Sequence, residues 1–272
     1  MQSATPYFSR SYAQARERFA AAARPLAAHF ASYAIDPKGR EGEALATDVA
    51  LIGDPRAERL LIMTSATHGV EGFCGSGCQL ALLDDADMLA RARAAGVALL
   101  LVHAVNPHGF SWIARTDEGN VDLNRNAQPF GAQPLPANPG YAQIHDLLLP
   151  AQWPANDANR AQIGSYIAEH GLPAFKQAVT RGQYTHADGL FYGGDRPAAS
   201  LLNLRRILAE HAARYAQIGW IDVHTGLGPR GHGEKIYAGR RDEAEVARAR
   251  RWWGADIAAV SYTHLTLPTS DL

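Results

Sequence analysis

Apolar residues along this chain fall into short blocks separated by turn-forming residues, and the blocks are of two kinds. Leu60-Leu-Ile-Met63 and Val97-Ala-Leu-Leu-Leu-Val102 are continuous apolar runs bounded by small or turn-forming residues. That is the pattern of strands covered on both faces. Leu45–Ile52 and Ile218–His224 read as two further strands, and Lys235–Ala238 as a short one. The other kind has helical spacing. Across residues 10–34, Phe19, Leu26, Phe30 and Tyr33 predict an amphipathic helix, broken or kinked at Pro25. Further helices are expected from Leu80 to about Ala95, over 141–149 and 159–180, from Ser200 to Tyr215, and over 241–253. Strand, helix and strand between residues 60 and 104 form a βαβ unit, for which a right-handed crossover is expected. Residues 105–140 break the pattern, being polar and rich in turn residues. A loop of that length in a compact domain is usually functional or disordered. No repeat or linker interrupts the chain, which predicts a single domain.

Composition narrows the class of protein. A chain of 272 residues, 47% hydrophobic, can bury one sizeable α/β core or two small ones. A formal charge of -1 offers no electrostatic footprint for nucleic acid or an anionic membrane. No apolar run reaches the roughly 20 residues of a membrane span. Met1–Tyr12 has no basic-then-apolar leader pattern, so a cytoplasmic location is the default. Cys74 and Cys78, four apart after a Gly-rich turn, read as small core residues rather than a disulfide. They make a poor zinc site without further ligands.

The candidate chemistry lies where strands end. His68-Gly-Val-Glu71 sits where the strand ending near Thr64 hands over to a helix, and in open α/β sheets ligands bind beyond the carboxyl ends of strands. Imidazole nitrogen and carboxylate oxygen are both good zinc donors, although H-x-x-E alone is a weak signal and equally describes a locally hydrogen-bonded surface pair. His224 also ends a strand. Two histidines and a carboxylate from neighbouring strand ends would make a His₂Glu zinc site with an open position. The alternative for His224 is a strand-end imidazole satisfied by backbone. Asp222, two residues earlier on the same strand face, either accepts the other N–H of His224 or pairs with an arginine. The glycines at 69, 72, 75 and 77 do not have dinucleotide-binding spacing, and no G-x-S-x-G elbow occurs, which disfavours nucleotide binding and serine hydrolysis.

Taken in order, His68-Gly-Val-Glu71, Asn106-Pro-His-Gly-Phe110, Arg115, Val121-Asp-Leu-Asn124-Arg125-Asn126 and Asp222-Val-His224-Thr225 resemble the zinc carboxypeptidases. The chain is most like a bacterial branch of that superfamily known as domain of unknown function 2817. The resemblance covers about residues 40–240, and several motifs in one order are far more specific than any one of them. It implies one α/β domain of the phosphorylase/hydrolase type, with a mixed, mostly parallel twisted sheet and helices on both faces. It implies one Zn²⁺ per chain, held by His68, Glu71 and His224. Arg115 would stabilise the oxyanion, and Asn124 and Arg125 would hold a substrate carboxylate, unless that pair only braces neighbouring helices. Tyr192, in a Gly-rich loop, either reaches substrate or packs. Asn106 and Gly109 shape their turn.

The implied function is zinc-dependent hydrolysis of a peptide or amide bond next to a free carboxylate, with a small peptide or N-acyl amino acid as substrate. The alternatives are an N-acyl amino acid deacylase of the aspartoacylase type and a zinc-bound recognition domain without turnover. One departure stands out. The family uses a glutamate well beyond the third ligand as general base, and Glu234, Glu243 and Glu245, the only glutamates after His224, do not match it. Composition changes abruptly at Ser261-Tyr-Thr-His-Leu-Thr-Leu-Pro-Thr-Ser270. That stretch resembles translated adapter read-through, although its β-branched residues also suit a strand. The expectation is therefore a carboxypeptidase-like domain over 1–260, incomplete at its C-terminus, and a non-native tail over 261–272 whose His264 is not a ligand.

Overall fold

A computed structural model describes residues 4–226, 229, 231–240 and 242–259; the tail and His264 lie outside the described residues. Along the chain the elements run α1 (Tyr12–Ala23), β1 (Ala27–Ile35), β2 (Leu45–Ile52), β3 (Arg59–Ser65), α2 (Gly72–Asp84), α3 (Ala86–Ala94), β4 (Val97–His103), α4 (Pro107–Trp112) and α5 (Leu123–Asn126). They continue as α6 (Pro139–Leu148), α7 (Asp157–His170), α8 (Leu172–Thr180), α9 (Ala199–His211), β5 (Gln217–Val223), β6 (Ile236–Tyr237), α10 (Glu243–Trp253) and β7 (Ala258–Ala259). Two compact units result. Residues up to Glu118 together with Ala198–Gly226 form the first, and Gly119–Pro197 with the described residues after 226 form the second.

The first unit is a five-stranded sheet in the order β1-β2-β4-β3-β5, covered by helices on both faces. It is mixed, as expected, but its four pairings divide evenly. β1–β2 and β2–β4 are antiparallel, whereas β3–β4 and β3–β5 are parallel. The two antiparallel pairings come from an N-terminal hairpin that joins the edge of the βαβ unit. Ser11 begins α1 by accepting from the amide of Gln14, satisfying a first-turn donor. Phe19 and Ala23 of α1 then pack with Leu83 of α2 over Ala50, Ile52, Leu99 and Leu101. On the other face α9 packs across β1 and β2, burying Leu201, Leu204, Ile207 and Leu208. β4 is buried almost throughout, as its unbroken apolar run requires.

Two expectations are corrected. The helix predicted over residues 10–34 stops at Ala23, and Ala27–Ile35 is a strand instead. Pro25 cannot continue the helix, and the following stretch finds eight backbone partners along β2, from Ala27↔Ile52 to Ile35↔Leu45. The helix predicted over 159–180 is two helices, broken at Gly171, whose φ of 86° suits glycine and little else. The cysteines are unpaired, as expected, but they are not core: Cys74 is half-buried and Cys78 exposed.

In the second unit α6, α7 and α8 pack against one another. Its loops are fastened by side-chain amides. Asn138 caps α6 and donates to the carbonyls of Ala178 and Gly182, and Asn126 donates to those of Gly193 and Arg196. β6 and β7 pair in parallel as a separate two-stranded sheet. Among the described residues, no helix is long and apolar enough to cross a membrane.

Candidate metal centre

The centre is built from the ends of two adjacent strands of the first unit. β3 and β5 are parallel and in register, Thr64 facing Asp222 and Ser65 facing Val223, so both chains leave the sheet at the same edge. His224 is the first residue past β5, and His68 follows β3 by three. Between them the chain turns at Ala66, fully buried with φ 59°, a left-handed conformation costing an L-residue about 1–2 kcal/mol. Residues Gly69–Glu71 then form a single 3₁₀ turn that runs into α2 and brings Glu71 back beneath His68. Gly69 is required here, because a Cβ would overlap the backbone of Gly109 and Phe110 in α4. The amide of Val70 donates to the carbonyl of Ala114 at 2.9 Å, fastening the turn to the segment that follows α4. Gln79, fully buried in α2, donates to the carbonyls of Met63 and Val102 and accepts from Ser65, which fixes the helix against the strands.

The three expected ligands converge. His68 Nδ1 lies 3.2 Å from Glu71 Oε1, and His224 Nδ1 lies 2.8 Å from Glu71 Oε2. One donor atom from each residue falls within 4.8 Å of the others, and among the described residues no other group of histidines, cysteines and carboxylates does this. His68 and Glu71 are 4% and 8% exposed, while the His224 side chain is 34% exposed, so the centre is closed behind and open on one side. Burial opposes charge on Glu71, yet hydrogen bonds from His224 and His68 outweigh it and hold the carboxyl at about 2. Burial likewise opposes charge on His224, but Asp222 on one side and Glu71 on the other raise it to about 10. Each imidazole thus turns Nδ1 toward one ionised carboxylate. Two imidazoles and one carboxylate with an open side suit a divalent ion of zinc's type.

Asp222 Oδ2 lies 2.7 Å from Nε2 of His224. Its other partners were not legible in the sequence. Thr64 Oγ1 donates to it at 2.7 Å, and Thr67 Oγ1 lies 3.0 Å from both of its oxygens. Alternation along β3 marks Thr64 as sharing a face with Ile62, but only the pairing of β3 with β5 puts it opposite Asp222. Arg115 is half-exposed in the first unit, next to the Ala114 carbonyl that holds the Val70 amide. Asn106 caps α4 by accepting from the amide of Gly109, as its turn-shaping reading requires.

Asn124, Arg125 and Tyr192 belong to the second unit. Asp122 caps the short α5 that carries the first two, which are 8% and 6% exposed. Arg125 donates to the carbonyl of Thr180 at 2.7 Å and to that of Asn124 at 3.4 Å, with its guanidinium 5.5 Å from the centre of the Phe191 ring. Tyr192 is buried, which pushes its hydroxyl pKa up, and its carbonyl accepts from the amide of Asp122.

The fold is carboxypeptidase-like. Thrombin activatable fibrinolysis inhibitor superposes with a TM-score of 0.52 at 13% identity, covering 92% of this chain and 56% of the other. A carboxypeptidase A from Helicoverpa armigera gives 0.43 at 16% identity over 85% and 48% of the two chains. A metallo-carboxypeptidase from Burkholderia cenocepacia gives 0.32 at 14% over 79% and 61%; only the first of these likenesses is strong enough to bear on the fold. The chain spans about half the length of the first two. It belongs to the family described as protein of unknown function (DUF2817), whose pattern matches residues 8–268. No curated protein matches it.

Proposed function

We propose that this chain carries the metal centre of a zinc-dependent hydrolase that cleaves a peptide or amide bond next to a free carboxylate. The observation that carries this reading is the convergence of His68 Nδ1, both oxygens of Glu71 and His224 Nδ1 at one sheet edge. Zinc bound there supplies Lewis acidity, acidifying water and polarising an amide carbonyl. His68 and Glu71 would hold it from the buried side, leaving the side toward His224 open to substrate. Arg115 is assigned the negative charge that develops on the carbonyl oxygen, where a positioned cation is worth most. Asn124 and Arg125 are assigned the substrate carboxylate, the guanidinium fork suiting a bidentate pair, while Arg125 also braces the carbonyls of Thr180 and Asn124.

Elemental analysis of the purified protein beside His68→Ala and His224→Ala tests the centre. The expected result is about one zinc per chain, lost in both variants. A folded, zinc-free protein would overturn the reading. With zinc present, release of C-terminal residues from peptides supports the carboxypeptidase assignment. Cleavage of N-acetyl amino acids instead would make the protein a deacylase of the aspartoacylase type, and zinc with neither activity would make it a recognition domain.

A further inference from the structure

We infer that Thr67, together with Thr64, is a positioning residue that sets which nitrogen of His224 serves the metal, by holding Asp222 as a pure hydrogen-bond acceptor. The inference rests on the metal reading above.

The proton directions follow from the inventory of donors. The indole nitrogen of Trp220 can only donate, and it lies 3.0 Å from Thr64 Oγ1. Thr64 therefore accepts there and turns its own hydrogen elsewhere. Its choices are the Ile221 carbonyl at 3.5 Å and Asp222 Oδ1 at 2.7 Å, and the shorter contact to an anion is the stronger one. Thr67 Oγ1 sits 3.0 Å from Oδ1 and 3.0 Å from Oδ2, so its hydroxyl bridges the carboxylate. Two hydroxyl hydrogens aimed at Asp222 favour its ionised form, and a carboxylate can only accept. The remaining contact, 2.7 Å from Oδ2 to His224 Nε2, then requires the imidazole to donate. With its proton committed to Nε2, a neutral His224 carries its lone pair on Nδ1, which faces Glu71 Oε2 at 2.8 Å.

The backbone explains why these residues meet. Trp220 and Asp222 share one face of β5, and Thr64 is the register partner of Asp222 on β3. The turn at Ala66 breaks the alternation and returns Thr67 to the same carboxylate, one residue before the ligand His68. Thr64 is fully buried and Thr67 2% exposed, while the Asp222 side chain is 20% exposed, so the two hydroxyls hold it from the buried side. Valine has nearly the same shape as threonine without the hydroxyl. Thr67→Val therefore leaves Asp222 free to rotate about its remaining partners, and His224 free to swing or to present the other nitrogen.

The test measures zinc affinity by competition with a chromophoric chelator, and the visible spectrum of the cobalt(II)-loaded protein, for wild type, Thr67→Val and Thr67→Ser. Thr67→Val should weaken zinc by about 10-fold, the lower end of the loss seen when a direct partner of a ligand is removed, because Thr67 acts through Asp222, and alter the cobalt spectrum. Thr67→Ser, which keeps the hydroxyl, should stay within about threefold of wild type. Equal affinity and spectrum in all three proteins would overturn the inference while leaving the metal reading intact. Absence of zinc from the wild type would overturn the metal reading and this inference with it. Should Thr67→Val fail to fold, long-range ¹H–¹⁵N spectra of the zinc-loaded wild type decide: a proton on Nε2 of His224 is expected, and coordination through Nε2 would refute it.

Discussion

The burial of His103 predicts that the first unit loses stability in mild acid. It ends β4, fully buried, with its ring stacked on Phe19 at 4.6 Å between centroids and its Nε2 2.9 Å from the hydroxyl of Ser76. Nδ1 has no hydrogen-bond partner among the described residues. Burial pushes its pKa from 6.5 down to about 4, against a small opposing pull from Asp48. The unfolded chain therefore takes up a proton before the folded one does. Full stability is present above the unfolded value, is lost as the pH falls from 6.5 toward 4, and changes no further below that. The whole displacement corresponds to about 3 kcal/mol, and about 2.5 kcal/mol of it is lost by about pH 4.5. Much of a domain's total stability, typically about 5–15 kcal/mol, is at stake. Urea unfolding of wild type and His103→Gln, from about pH 7.5 to about pH 4.5, measures it. Glutamine can keep a bond to Ser76 but does not titrate in this range. The variant should be less stable at neutral pH, and the gap should close by about 2 kcal/mol or more on acidification. Parallel stability curves would refute the assignment of this acid sensitivity to His103.

Other substitutions test other parts of the molecule. Glu71→Gln keeps the shape but removes the charge that both imidazoles face, so zinc affinity should fall at least about 10-fold in a chelator competition; unchanged zinc content would remove Glu71 from the ligand set. Gly69→Ala drives a methyl group into the backbone of Gly109 and Phe110. It should destabilise the first unit by about 1–3 kcal/mol in thermal unfolding and weaken zinc through the displaced turn. Arg16→Leu strands Asp48, which is 2% exposed and bonded to the guanidinium at 2.7 Å. A loss of about 3–5 kcal/mol is expected by urea unfolding, because a buried charge is left without its partner.

The donor types of His68, Glu71 and His224 are legible from residue identity alone. His68 and Glu71 are three residues apart in one turn, so their meeting is a local property, and the motif order pointed to His224. The apolar runs at 60–63 and 97–102 likewise implied buried strands from composition alone, and β3 and β4 are found there. What the chain did not declare locally was decided by distant partners. Ala27–Ile35 has residues at helical spacing, and its strand state comes from pairing with β2, which no window around Phe30 contains. The exposure of Cys78 depends on which face of α2 meets the sheet, and small residues leave that choice open. Most telling is the centre itself. More than 150 residues separate Glu71 from His224, and they meet because β5 adds beside β3 rather than beside β4. The same pairing brings Thr64 against Asp222. The sequence by itself determined the donor chemistry and the local turn. Only the tertiary structure decided which strands stand side by side, because strand order is set by long-range burial and pairing rather than by any residue's own preference.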